Sequence, residues 1–268
     1  MRVALKIAYD GTRFHGYARQ PNVRTVESEV LRSLRRAGLV EDPQAARFEG
    51  ASRTDRGVSA LGNVIALDSP RGPEAAVGAF NAEAEDVVAW AGAVVAADFR
   101  ARDARERWYR YLVDGDLDTA RLRRALTEFR GTHDLRNFVR GGTPAVLRID
   151  SATVVRDPPF LAIDLRAPRF AWNLVRRIIS ATLAYERGEA RLHDIRALVA
   201  GRATGDLGLA APEPLTLMDV RYSIRLAPCL DAAARDRLSR VHFELARRLV
   251  LSRRLRRWAN RGGTADYA

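Results

Sequence analysis

Residues 2 to 9, RVALKIAY, alternate Val3, Leu5, Ile7 and Tyr9 with Arg2, Ala4, Lys6 and Ala8, the two-residue period of a half-buried strand. Asp10-Gly11 then supplies a turn. Thr25 stands where a helix N-cap belongs, with Glu27 and Glu29 in the first turn. Val26, Val30, Leu34 and Ala37 recur on one helical face before Gly38 ends the pattern. A second strand is expected over about 45–50 and a third over about 62–68, where NVIALD is apolar between Gly62 and Pro70. A Pro-started helix near 73–82 and a strand through DVVAWAGAVVAA complete a β-α-β-β-α-β run.

The second half repeats the mixture. In RERWYRYLVD, from Arg105, the strand period sets Trp108, Arg110 and Leu112 on one face and Tyr109, Tyr111 and Val113 on the other. A helix is expected over 117–130. Two strands, 146–157 and 159–166, meet around Pro158-Pro159. Helices follow over about 169–187 and 191–200, then a Gly/Pro loop, a strand near 215–224 and a basic C-terminal helix over roughly 229–258. No repeat or low-complexity linker interrupts this order. The pattern predicts an α+β protein of two halves, 1–103 and 104–268, joined as one continuous structure.

A chain of 268 residues, 47% of them apolar, is long enough to bury a core of one large or two intimate domains. No apolar run approaches the roughly 18 residues that cross a bilayer, and Met1-Arg2-Val3 leads into a strand without a signal-peptide pattern. The expectation is a cytoplasmic protein with no membrane partner. Cys229 is the single cysteine, which excludes a disulfide within the chain and a cysteine-based zinc site. The net charge of +12 changes the picture most, because a basic excess of that size favours a polyanion such as nucleic acid. Lys6 is the only lysine among 45 basic residues, which leaves 44 arginines. Coding bias accounts for arginine over lysine, but not for base over acid.

Candidate chemistry is sparse. There is no Walker loop, no G-x-G-x-x-G, no G-x-S-x-G and no H-E-x-x-H. The dipeptides His133-Asp134 and His193-Asp194 invite a metal-dependent phosphohydrolase reading. Each is expected beside a helix end, where both residue types serve as caps, and further ligands are missing.

GASRTDRGVSALGNV, residues 50–64, sets Asp55 among Arg53 and Arg56. An exposed Arg-Asp-Arg cluster is worth at most about 1 kcal/mol per pair. The alternative is a carboxylate kept ionised by adjacent positive charge for a reaction. In FAWNLVRR, Arg176 or Arg177 must lie beside apolar surface, either snorkelling or paired with a buried acid elsewhere. The Trp108-Tyr109-Arg110-Tyr111 run reads as core packing, or, with Arg105, Arg107 and Arg110 interleaved, as cations for phosphate and rings for bases.

Taken together, these segments resemble the TruA family of tRNA pseudouridine synthases. The similarity lies in IAYDGTRFHGYARQPNVRTVESE at 7–29, GASRTDRGVSALGNVIAL at 50–67, DFRAR at 98–102, RWYRYLV at 107–113, GTHDLRNF at 131–138 and FAWNLVRRIISA at 170–181. Tyr17, Ala18, Ser59 and the NAEAED run at 81–86 depart from the usual pattern. The resemblance implies the pseudouridine synthase fold, two α/β halves sharing a central, mainly antiparallel sheet with flanking helices, and usually a homodimer. It implies Asp55 as the catalytic aspartate, Arg53 as the arginine of its loop, Tyr109 as the residue that stacks on the target uracil, and Arg176 as the basic partner of the carboxylate. It also implies a tRNA substrate, modified at uridines 38, 39 or 40 of the anticodon stem-loop, with no cofactor and no metal.

The expected isomerisation breaks the N1 to C1′ bond, rotates the uracil and rejoins it through C5. Asp55 would attack C1′, add to C6 or remove a sugar proton; Tyr109 would stack on the base and, as a second role, help remove the C5 proton after reattachment; Arg53 would fill the vacated space or hold the flipped phosphate; Arg56, Arg107 and Arg110 would bind RNA. A non-catalytic RNA-binding protein on the same scaffold is the alternative, and would have no need of Asp55 with Arg176.

Overall fold

In a computed structural model, which describes residues 1–141 and 145–230 together with residues 234, 235 and 239, the chain opens with β1 (Arg2–Tyr9), α1 (Val26–Arg36), β2 (Glu49–Gly50) and β3 (Ser59–Asp68). It continues through α2 (Pro73–Glu83), β4 (Val87–Val94), β5 (Glu106–Val113), α3 (Thr119–Thr127), β6 (Gly131–Asp134) and β7 (Val146–Ile149). The rest comprises β8 (Ser151–Asp157), β9 (Phe160–Ala167), α4 (Leu174–Glu186), α5 (Leu192–Val199), β10 (Leu215–Arg221) and β11 (Ala227–Pro228). The C-terminal helix expected over about 229–258 falls, but for a few positions, outside the described residues.

Nine strands form one sheet in the order β11-β4-β1-β3-β10-β5-β9-β8, with β2 paired to β3 beside that path. Every neighbouring pair is antiparallel except β3 and β10, whose short parallel contact is Thr216↔Ser59 and Leu217↔Ala60. This is the α+β architecture with a large, mainly antiparallel sheet that the family resemblance implies. Helix α2 packs on β4 and β1, with α1 against α2, while α3 packs on α4 and β8. The β3–β10–β5 seam lies mid-sheet, and the loop that carries Asp55 runs directly into β3.

Local patterns hold where short-range physics decides. Thr25 caps α1 by accepting from Ser28 N–H, and Ser28 reciprocates to the Thr25 N–H, a capping box that satisfies two otherwise unpaired donors. β5 alternates buried and half-buried along its length, with Arg107, Tyr109, Tyr111 and Val113 inward.

Four expectations change. β1 is not half-buried: Arg2 and Lys6, on its polar side, are also enclosed, because β1 is an interior strand and each cation meets carboxylates, Arg2 those of Glu49 and Asp68 and Lys6 that of Asp219. The strand expected over 45–50 shrinks to Glu49–Gly50. The stretch expected as one strand over 146–157 breaks at Asp150 into β7, which pairs with β6 in a separate small sheet, and β8, which pairs with β9. Finally, α4 begins at Leu174, because Asn173 adopts the left-handed region at φ 67°, a conformation asparagine tolerates better than most residues. Residues 171–174 therefore form a turn, closed by Leu174 N–H to Ala171 O at 3.1 Å.

Candidate active site

The loop 51–58 is pinned along its length. Ala51 N–H donates to Val64 O at 2.8 Å, and Asn63, fully buried on β3, donates through Nδ2 to Ser52 O at 2.9 Å. Tyr9 and Thr54 share a hydroxyl hydrogen bond of 2.9 Å, Tyr17 N–H donates to Thr54 O at 2.9 Å, and Val58 N–H closes a turn on Asp55 O at 3.1 Å. Burial leads the causes that raise the pKa of the Tyr9 hydroxyl above its ordinary value, which keeps it a neutral partner in this network.

Two glycines are required. Gly57 sits at φ 86°, where a side chain strains the backbone. Gly11, at the end of the Tyr9-Asp10-Gly11 turn, donates N–H to Ser59 Oγ at 3.0 Å, and a β-carbon there would lie 2.1 Å from the backbone oxygen of Val58. The absence of a side chain at Gly11 is what lets the catalytic-loop candidate close onto β1.

At the tip of this loop, both oxygens of Asp55 are held from the far half of the sequence. Arg176, in the first turn of α4, donates from Nη1 to Oδ2 at 3.0 Å. Trp172, in the turn before α4, donates from Nε1 to Oδ1 at 3.0 Å. Arg176 is fixed in turn by Nε donating to Ala210 O at 2.7 Å, and the Ala210 N–H returns a 3.2 Å bond to Arg176 O. The Asp55 side chain keeps 24% exposure and that of Arg176 14%, so the pair is largely shielded while the carboxylate stays partly open to solvent. Of the two candidates on α4, Arg177 instead pairs with Asp206 at 2.6 Å.

Tyr109 lies beneath this group. Its ring is 8% exposed and meets Phe170 edge-on, with centroids 5.2 Å apart. Its hydroxyl is pushed up to about 12, first by burial; the Arg107 charge opposes the shift, the nearby Asp55 charge adds to it, and a hydrogen bond from Ser52 opposes it. Burial thus keeps the phenol neutral, near enough to Asp55 to feel its charge.

The arginines separate into two groups. Arg53 and Arg56 are exposed on either side of Asp55. Arg107 and Arg110, expected to bind RNA, are given other partners. Arg107 is 6% exposed and donates Nε to Ser52 Oγ at 3.0 Å, Nη2 to Ala51 O and Arg102 O at 2.8 Å each, and Nη1 to Pro168 O. All four acceptors are neutral, and burial lowers its pKa. Arg110 makes a bidentate pair with the buried Asp164, at 2.8 and 2.9 Å, and a further 2.9 Å bond to Asp157. The inward register of β5 takes one of these guanidiniums into the core, and a cross-strand acid on β9 takes the other. Trp108 is likewise covered by the Arg110 and Arg166 guanidiniums, 5.2 and 4.2 Å from its ring centre, and offers no open stacking face on that side.

The sequence reading missed Trp172, Ser52 and the carbonyl of Ala210. Trp172 was hidden by its assignment to a continuous helix, and a backbone carbonyl leaves no mark in a sequence. His133 lies on β6 and bonds Arg130 O at 2.8 Å, while Asp134 accepts from Arg136 N–H at 3.2 Å where a short 3-10 helix begins, and Asp194 caps α5 by accepting from Arg191 N–H at 3.0 Å. Among the described residues no group of three or more His, Cys, Asp or Glu is arranged to hold a metal ion.

Comparison with known proteins bears on this geometry. A family model described as tRNA pseudouridine synthase matches residues 125–223. The chain is 37% identical over 255 residues to tRNA pseudouridine synthase A of Thermococcus sibiricus, covering 93% of this chain and 95% of that protein. It is 36% identical over 260 residues to the protein of that name from Methanothermobacter thermautotrophicus, covering 94% of each. The Methanosarcina acetivorans protein of the same name is 39% identical over 229 residues, 83% of this chain and 85% of that protein. A solved structure of a Cbf5-Nop10-Gar1 complex aligns with 67% of this chain and 44% of that one at TM-score 0.34 and 12% identity, a likeness too slight to carry weight.

Proposed function

The chain belongs to the tRNA pseudouridine synthase A family, and we propose that it converts uridine to pseudouridine in tRNA, at positions 38, 39 or 40 of the anticodon stem-loop, with Asp55 as the catalytic carboxylate. The observation that carries this reading is the pairing of Asp55 with Arg176 at 3.0 Å across 121 residues, with the guanidinium itself anchored through Nε on Ala210 O at 2.7 Å. An ordinary surface ion pair needs no such arrangement, and a protein that only bound RNA would gain nothing from a carboxylate presented on its basic face.

In this reading the target uridine leaves the helix stack, at a cost of a few kcal/mol, and its glycosidic bond approaches Asp55. The carboxylate then acts on C1′, on C6 of the uracil or on a sugar proton. Tyr109 presents its ring to the base. With its hydroxyl at about 12, Tyr109 stays protonated near neutral pH, so stacking is its first task. Arg53 steadies the everted nucleotide, and the exposed arginines, Arg56 among them, meet the phosphates. Arg107 and Arg110 hold the sheet beneath and touch no RNA. The two halves, 1–103 and 104–268, would each supply part of the site. The protein would work in the cytoplasm as a homodimer and without a cofactor.

The test is pseudouridine mapping in unmodified tRNA after incubation with the purified protein. Asp55→Asn should retain tRNA binding and form no pseudouridine. Full activity in that variant would remove Asp55 from the reaction, and binding without activity in the unaltered protein would favour the non-catalytic RNA-binding reading.

A further inference from the structure

Trp172 is an uncommon tryptophan. Its residue is 58% exposed, although a ring of that size gains more than most side chains from burial. What holds it is polar: Nε1 donates to Asp55 Oδ1 at 3.0 Å, and on the other side the Arg140 guanidinium lies 3.9 Å from the ring centre. Arg140 is tied to the same residue through the backbone, its N–H donating to Trp172 O at 3.2 Å. The left-handed Asn173, one residue after Trp172, keeps α4 from starting earlier, so the indole is presented from a turn while Arg176 is presented from the helix.

We propose that Trp172 is a positioning residue for the reaction assigned to Asp55: its indole N–H fixes Oδ1 while Arg176 fixes Oδ2, so that the carboxylate plane is set before RNA arrives. The proposal rests on the enzymatic reading above.

Two donors on two different oxygens remove the rotation about χ2 that a single ion pair leaves free. A neutral N–H suits the task on the exposed side, because it orients the oxygen without neutralising it, whereas a second guanidinium would do both. Arg140 keeps the indole from swinging away, since a cation over the ring face holds the plane in which the N–H points. The exposed ring edge would then be covered by the bound RNA, which strengthens the Nε1 to Oδ1 bond by excluding water from it.

Two variants separate the N–H from the ring. Trp172→Phe keeps an aromatic face and loses the donor. Trp172→His restores one, because a half-turn about χ2 brings Nε2 to where the indole nitrogen lies. Single-turnover and steady-state assays on unmodified tRNA should show kcat about tenfold lower in Trp172→Phe, with KM within about twofold of the parent, and recovery of most of that loss in Trp172→His. A merely structural ring would lose nothing in Trp172→Phe, and a base-stacking ring would show its loss in KM. Either result, or a faster Trp172→Phe, overturns the proposal. The contact itself is read without any assay: the Trp172 indole N–H resonance, assigned by its loss in Trp172→Phe, should move in Asp55→Ala, and an unmoved resonance also overturns it. If the unaltered protein forms no pseudouridine, the enzymatic reading fails and the catalytic role of Trp172 with it, while the resonance still decides the contact.

Discussion

Arg176 reaches Asp55 at 3.0 Å while its Nε is held by Ala210 O at 2.7 Å, so the guanidinium is locked from behind before it meets the acid. A fork that serves two acceptors at once is an arginine property that lysine does not share. Arg176→Lys should therefore lose more than charge conservation suggests, and Arg176→Ala should lower kcat by about 10²–10³-fold, the range for removal of one preorganised charge-stabilising donor. Single-turnover assays of both variants check this. A lysine variant with parental kcat would show that charge alone suffices.

Gly11 illustrates how a turn residue reaches the chemistry. Because a β-carbon at this position would overlap the Val58 backbone oxygen at 2.1 Å, Gly11→Ala must move either β1's end or the loop that carries Asp55. A displacement of about 1 Å at a reacting group can cost roughly 100-fold in rate. The expected outcome is a folded protein with kcat reduced on that scale and tRNA affinity little changed. Circular dichroism alongside the activity assay tests it, and unimpaired turnover would refute the close-approach argument.

Arg107 and Arg56 make opposite predictions. Arg107 sits inside a cage of four neutral acceptors, so Arg107→Lys, which cannot reproduce that fork, should cost about 2–4 kcal/mol in urea unfolding. Its effect on the salt dependence of tRNA binding should be nil. Arg56 is exposed, so Arg56→Ala should leave stability within about 0.5 kcal/mol and reduce the slope of log K against log salt by about 0.7–0.9, the value of one phosphate contact. Filter binding across a salt series, with unfolding curves for both variants, separates the two cases.

The buried tyrosines set an alkaline limit. Tyr109 is pushed up to about 12, and Tyr9, Tyr17 and Tyr222 are also raised, in each case with burial as the leading cause. In the unfolded chain these groups lose their protons near pH 10, so above that pH the unfolded state binds fewer protons than the folded one. Their contribution to stability is full below about pH 10 and is lost as pH rises through the folded values. Urea midpoints should hold between about pH 8 and 9.5 and fall steadily beyond pH 10, with tyrosinate absorbance appearing together with unfolding. Tyrosinate appearing well before unfolding would contradict the burial argument.

Short-range structure was legible in the sequence itself. The Thr25 cap, the α1 face and the alternation of β5 each depend on residues two to four positions apart, and such spacings are printed in the chain. The chemistry was legible only as far as the family motifs carried it: they singled out Asp55 and Arg176, which the structure brings together. Tertiary structure decided the rest. Strand period set Arg107 and Arg110 on opposite faces of β5, but only the sheet order put acceptors from the Asp55 loop around one and Asp164 of β9 beside the other. Periodicity extended α4 through residues 170–173, and only the left-handed Asn173 freed Trp172 to reach a carboxylate 117 residues away. A contact of that separation is fixed by which strands and loops become neighbours, a property of the whole packed chain that no local spacing records.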